Sequence, residues 1–125
     1  MLRGRRNLCA LVLFSIAAGF LMVAPAAAHA VLLESSPPLK GAVQGPDVPI
    51  KLRFNVRIDA LRSRLTLIHP DGSAQTLEIS KQAPADTLSA AATGLAAGEY
   101  RLRWQVLASD GHITRGEIPF TVTPS

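Results

Sequence analysis

From residue 29 onward the sequence alternates apolar and polar side chains with a period of two, and short clusters of turn-forming residues interrupt the pattern. In residues 100–106, Tyr, Leu, Trp and Val alternate with Arg, Arg and Gln, which predicts a strand with one face in water. No segment shows the period of a helix. The pattern predicts seven short antiparallel strands, at about residues 29–34, 50–56, 64–68, 75–79, 87–91, 100–106 and 113–122.

Seven such strands in about a hundred residues are typical of an immunoglobulin-like β-sandwich or a Greek-key barrel. Tyr100 opens the sixth strand and follows Gly98-Glu99, so we expect its hydroxyl to turn back toward the preceding corner, as in that fold. Trp104 is predicted to lie in the core. The fold class is therefore all-β.

The first 28 residues have the pattern of a secretory signal peptide. Three arginines precede an apolar run over residues 8–23, and Ala26 and Ala28 match the small-residue rule for cleavage. We expect cleavage between Ala28 and His29, by the general secretory route, although Arg5-Arg6 leaves twin-arginine export open. The alternative is an uncleaved membrane anchor, but the apolar run is short for a bilayer span of about 20 residues and ends in a processing site. No second apolar run of spanning length follows, so the mature chain, residues 29–125, is predicted not to insert into a membrane.

Removal of the signal peptide changes the charge and the available metal ligands. Three of the thirteen Lys and Arg residues are lost, which leaves ten against nine Asp and Glu, so basicity does not indicate nucleic-acid binding. The only Cys and both Met residues lie in the removed segment. Metal chemistry in the mature domain is therefore limited to nitrogen and oxygen ligands.

The order of the predicted strands brings two of the three histidines together. In a sandwich of seven antiparallel strands the chain reverses at every connection, so the start of the first strand lies at the same end as the loops after strands two, four and six. His29 is then expected beside Asp110 and His112, which follow the sixth strand, whereas His69, after the third, lies at the opposite end.

Cleavage gives His29 two nitrogen donors, its α-amine and its imidazole, which can close one chelate ring. Asp110 and His112 add a carboxylate oxygen and a third nitrogen, and Gly111 between them permits a tight turn. Three nitrogens and one oxygen suit copper(II), which also heads the divalent affinity order. Taken alone, Asp110-Gly111 is typical of an ordinary hairpin turn, and His69 at its Pro-Asp-Gly turn is predicted to be structural.

The mature sequence resembles the CopC-like periplasmic copper-binding domains. The resemblance rests on His-Ala-Val-Leu at 29–32, Leu-Arg-Phe at 52–54, residues 98–106, Ser-Asp-Gly-His at 109–112, Gly116, and Phe-Thr-Val at 120–122. It implies a β-sandwich that binds copper(II) through the amine and imidazole of His29, with Asp110 and His112. It also implies a role in copper tolerance or delivery, without enzyme activity, and a possible inner-membrane partner of the CopD type.

Two features depart from that family. Members often carry an acidic residue just after the second-strand phenylalanine, near the metal, whereas this chain has Phe54-Asn55-Val56. Asp59, in the loop at the predicted site end, is the nearest substitute. The methionine-rich segment with which some members bind copper(I) is also missing, so a copper(I) site of that type is not expected.

The predicted function is a periplasmic copper(II) carrier or buffer. A second interpretation is a histidine-brace copper enzyme of the oxidative type, which would need an open coordination position and a broad substrate face. A third is an interaction module that uses no metal. Detoxification, storage and import of copper stay open as roles.

Overall fold

The computed structural model describes residues 29–125, and the predicted signal peptide with its cleavage junction lies outside the described residues. The described chain forms eight strands and one 3₁₀ turn, Ala60–Arg62, which precedes the fourth strand. Across these residues, no helix has the length and apolar character needed to cross a membrane. The strands are β1 (Leu32–Ser36), β2 (Ala42–Gln44), β3 (Val48–Phe54), β4 (Arg64–Ile68), β5 (Ala74–Leu77), β6 (Thr87–Ala92), β7 (Gly98–Leu107) and β8 (Ile113–Thr123).

The strands form two sheets that pack face to face as a β-sandwich. One sheet has the order β1-β3-β6, and the other has the order β2-β8-β7-β4-β5. The long strands β7 and β8 pair from Gly98 opposite Val122 to Leu107 opposite Ile113. Alternate residues of both sheets fill the space between them and exclude water, including Ile50, Leu52, Phe54, Leu65, Leu67, Leu88, Leu102, Val106, Ile118 and Phe120.

The structure confirms the all-β sandwich and adds an eighth strand to the seven predicted. The added strand, β2, has only three residues, between Gly41 and Gly45, which is too short to show an alternating pattern. It forms because it pairs in parallel with the end of β8, where Ala42 lies opposite Thr121. Its existence therefore depends on a distant segment of the chain.

The added strand leaves the predicted reversals of chain direction intact. Because β2 runs parallel to β8 and pairs only with its last residues, it lies at one end of the sandwich and does not cross it. The first and third strands are antiparallel, as are β4 and β7. We call the end that carries His29 and the β7–β8 loop the site end, and the opposite end the far end.

Two aromatic residues of β7 behave as the sequence predicts. The hydroxyl of Tyr100 donates a hydrogen bond of 2.7 Å to the carbonyl of Ala96 in the preceding corner. Trp104 is buried and meets Phe54 of the other sheet edge-on, with ring centroids 5.2 Å apart. The Trp104 ring also covers Gly116 on β8, where any Cβ would overlap it. The Trp104–Phe54 contact joins the two sheets beneath the site end, whereas Tyr100 lies toward the far end.

Candidate metal centre

The segment before β1 is held at the site end by one buried residue and a pair of hydrogen bonds. Ala30 is buried in the core beside exposed His29. The Val31 N–H donates to Asn55 Oδ1 at 2.7 Å, and the Asn55 N–H donates to the Val31 carbonyl at 3.0 Å. Because residues 30 and 31 are both fixed, the backbone that leads into His29 has little freedom.

The loop between β7 and β8 forms a closed turn over residues 108–112. The Gly111 N–H donates to the Ala108 carbonyl, and the Ala108 N–H donates to the His112 carbonyl, each at 2.9 Å. Gly111 has a φ of +93°, a conformation that residues with a Cβ rarely adopt. This turn places Asp110 and His112 side by side.

Asp110 binds His112 through both carboxylate oxygens. Oδ1 accepts the His112 backbone N–H at 3.0 Å, and Oδ2 lies 3.0 Å from His112 Nδ1. The side chains are partly open to water, 31% exposed for Asp110 and 50% for His112. A carboxylate on one ring nitrogen orients the imidazole and leaves Nε2 for another partner.

His29 and His112 meet at the site end, as the strand order predicts. Their ring centroids are 5.4 Å apart and the rings are inclined at 67°. Among residues 29–125 no group of three or more His, Cys, Asp or Glu side chains stands ready to hold a metal ion. The structure thus provides two converging imidazoles, with the neighbouring carboxylate turned onto one of them.

A profile of the CopC domain matches residues 32–123, which include both sheets and the β7–β8 loop. The chain belongs to the CopC domain family. CopC from Methylosinus trichosporium OB3b has a similar structure, with 32% sequence identity and a TM-score of 0.69 over 77% of this chain and 95% of that one. PcoC, a methionine-rich copper resistance protein from Escherichia coli, is 28% identical, with a TM-score of 0.64 over 77% of this chain and all of PcoC.

A search of curated protein sequences gives no significant match. Unlike PcoC, whose description names it methionine-rich, this CopC domain has no methionine in residues 29–125.

Asp59 of this CopC domain lies at the site end, but its carboxylate binds a different group. Oδ2 accepts from the Arg62 guanidinium at 2.7 Å, and Oδ1 accepts the Arg62 backbone N–H at 3.2 Å, which caps the 3₁₀ turn. The hydrogen bond from the Arg62 side chain is the main reason that the pKa of Asp59 is lowered. Its backbone N–H donates to the Leu107 carbonyl at 2.9 Å, so the loop runs beside the end of β7.

His69 lies at the far end, among residues of the turn after β4. Its Nε2 is 2.8 Å from Gln75 Oε1, and its ring packs edge-on against Tyr100 with centroids 5.3 Å apart. Both contacts give this histidine a structural role. The structure therefore separates it from His29 and His112.

Asn55 is the residue whose role the sequence did not reveal. Its position was recognisable only as the place where other members often carry an acid, and the sequence suggested merely that the acid was missing. In the structure Asn55 is exposed and makes two hydrogen bonds with Val31, two residues from His29. The signal that could have found it is the short polar side chain directly after a buried strand, because Asn at such positions commonly bonds to backbone.

Proposed function

We propose that the mature CopC domain binds copper(II) through the α-amine and imidazole of His29, the imidazole of His112 and the carboxylate of Asp110. The convergence of the two imidazoles at one exposed end carries this proposal. A donor set of three nitrogens and one oxygen binds copper(II) more tightly than it binds the other common divalent ions. No thiol or thioether is present in residues 29–125 to favour copper(I) instead.

The separation of the two rings supports a shared ion. Two imidazoles bound to one ion at about 2.0 Å have their ring centroids roughly 4.5 Å apart at right angles and about 6.3 Å apart on opposite sides. The observed 5.4 Å lies between these limits. The distance between the two rings is therefore within the range that a shared ion requires.

The fourth donor, Asp110, has to leave its present partner. In the structure its Oδ2 lies 3.0 Å from His112 Nδ1. Binding copper through Oδ2 replaces the contact with His112 Nδ1 by a metal bond, while Oδ1 keeps the His112 backbone N–H. Half-exposed side chains can make this exchange without opening the core.

The amine is a donor only after processing. In the precursor the nitrogen of His29 belongs to the peptide bond with Ala28 and cannot bind copper as an amine. We infer export to the periplasm with cleavage between Ala28 and His29, supported by the signal-peptide pattern of residues 1–28. Copper binding would then be confined to the exported form.

An exposed site of this kind suits a carrier or buffer. His29 is exposed and His112 half-exposed, so an acceptor can approach the ion directly and replace ligands one at a time. The copper resistance function named for PcoC supports a role in tolerance or delivery. The CopD-type membrane partner stays a prediction.

Copper(II) titration against a competing chelator, using protein that begins at His29, tests the donor set. Loss of a residue that only orients a ligand commonly weakens metal binding by about 10–100-fold, so His112→Ala should weaken it by about 100-fold or more. Asp110→Asn keeps an oxygen that can accept from His112 Nδ1, and it should still weaken binding strongly because the charged ligand is lost. Copper affinity of His112→Ala equal to that of the wild type would exclude the proposed site.

A further inference from the structure

The outward face of the larger sheet is cationic next to the site end. Arg64, Gln105 and Arg115 lie side by side on β4, β7 and β8, because Gln105 pairs with both of the others. Arg103 lies two residues along β7 on the same face. Ile113, between His112 and this row, completes what we call the arginine face: Arg64, Arg103, Gln105, Ile113 and Arg115.

The residues of the arginine face other than Ile113 line an open groove of about 490 Å³, whose lining includes three arginines and one carboxylate, that of Glu117. The carboxylate is already shared, since Oε2 accepts from Arg103 at 3.0 Å and from Arg101 at 3.3 Å. Arg115 donates from Nε to Gln105 at 2.9 Å, which orients its guanidinium. Within residues 29–125, Arg64 has no side-chain hydrogen bond or ion pair. The groove therefore has more guanidinium donors than acceptors.

Two large apolar side chains lie outside the lining of the groove, between its residues and the site end along the chain. Ile113 is 51% exposed and Leu61, in the 3₁₀ turn, is 80% exposed. The two lie on either side of Leu107, because Leu107 pairs with Ile113 and also bonds to Ser63 next to the turn. Exposed apolar side chains grouped beside a charged groove are typical of a binding surface.

We propose that the arginine face, together with Leu61, docks an acidic segment of a partner protein that carries an apolar side chain among its carboxylates. Carboxylates match the planar, partly oriented guanidinium groups, and the apolar side chain covers Ile113 and Leu61. The concave shape and the use of arginine fit a protruding protein segment better than a flat lipid surface. None of the three lysines, at 40, 51 and 81, lines the groove.

The groove lies close to the proposed copper site, so the functional role of this docking rests on the proposed function. Arg115 follows His112 by three residues, so a partner in the groove comes within about 10 Å of the copper ligands. Docking itself needs no metal. A failure of docking can therefore be distinguished from a failure of copper binding.

Amide NMR titration of the metal-free protein that begins at His29 tests the proposal. The probe is the end-blocked peptide Gly-Glu-Glu-Leu-Glu-Glu-Gly, with Gly-Gln-Gln-Leu-Gln-Gln-Gly as the neutral comparison, at an ionic strength of about 0.01 M. We expect shifts at residues 61, 64, 103, 113 and 115 with the acidic peptide. The double variant Arg64→Glu/Arg115→Glu should weaken its binding by about tenfold or more. Lys51→Glu/Lys81→Glu, with the same change of charge elsewhere, should bind as the wild type does.

Three results would overturn the proposal. The acidic peptide could produce no shifts on the arginine face, both double variants could weaken binding equally, or the neutral peptide could bind equally well. Sedimentation with vesicles of phosphatidylcholine containing one quarter phosphatidylglycerol tests the lipid alternative. Vesicle binding that depends on Arg64 and Arg115, without peptide binding, would assign the face to a membrane surface instead.

Discussion

Replacement of Asn55 by alanine should loosen His29 without disturbing the sandwich. Asn55 is exposed, and its side chain makes one described contact, the 2.7 Å hydrogen bond from the Val31 N–H. The reciprocal bond from the Asn55 N–H to the Val31 carbonyl uses backbone atoms and remains in the variant. The N-terminal segment should therefore still be able to dock in the variant, but its docked state should be less populated.

The size of the effect follows from the lost bond. A hydrogen bond of this type contributes a net free energy of about 0.5–1.5 kcal/mol, which corresponds to a factor of about 2–12 in an equilibrium constant. Copper binds the state in which His29 is held beside His112. The apparent affinity for copper is therefore lowered by the same factor as the fraction of protein in that state. We expect copper(II) to bind Asn55→Ala about two- to tenfold more weakly, far less than the loss for His112→Ala.

Competitive copper titration measures this change, and hydrogen exchange at the Val31 amide shows whether the bond is lost. Asn55→Asp is the matched variant because it keeps an oxygen acceptor, and its Val31 amide should stay protected. The thermal midpoint of Asn55→Ala should lie within a few degrees of that of the wild type. Unchanged copper affinity in Asn55→Ala, despite a freely exchanging Val31 amide, would refute the positioning role.

Three further changes test other parts of the structure. Gly116→Ala brings a Cβ into the Trp104 ring, with Nε1 at 2.8 Å, and should lower the free energy of unfolding by about 1–3 kcal/mol in urea denaturation; unchanged stability would contradict the contact. Arg62→Ala removes the main cause of the lowered pKa of Asp59, so that pKa should rise in a carboxyl NMR titration, and a constant value would show that the ion pair does not form in solution. His69→Ala should leave copper affinity unchanged, whereas a loss as large as that for His112→Ala would place a ligand at the far end.

The sequence was sufficient for the sandwich because its long strands carry their own signal. In β7 every second residue is buried, from Tyr100 to Val106, and the same alternation identifies the end of β8. Strand β2 carries no such signal, since three residues between glycines acquire a strand conformation only by pairing with the end of β8. Strand β2 was not predicted, but it does not cross the sandwich, so the predicted placement of the histidines is unaffected.

The sequence predicts where the residues of the candidate site lie in the fold, but not which groups their side chains contact. Strand order was enough to bring His29 beside His112, since each connection reverses the chain. The partners of Asp110, Asn55 and Asp59 were not predictable, because each depends on which nearby backbone or guanidinium group competes for the side chain. Asp59 illustrates this: its loop lies where expected, but Arg62 three residues later binds its carboxylate.

The central claim is that processing creates the copper site at His29, and the most direct test compares two forms of the same domain. One begins at His29, and the other retains Ala28, so that the amine is one residue further from the imidazole. Both should fold alike, but copper(II) titration against a competing chelator should give an affinity lower by about 100-fold or more for the extended form, because a ligand and its chelate ring are lost. Equal copper affinities for the two forms would contradict the account.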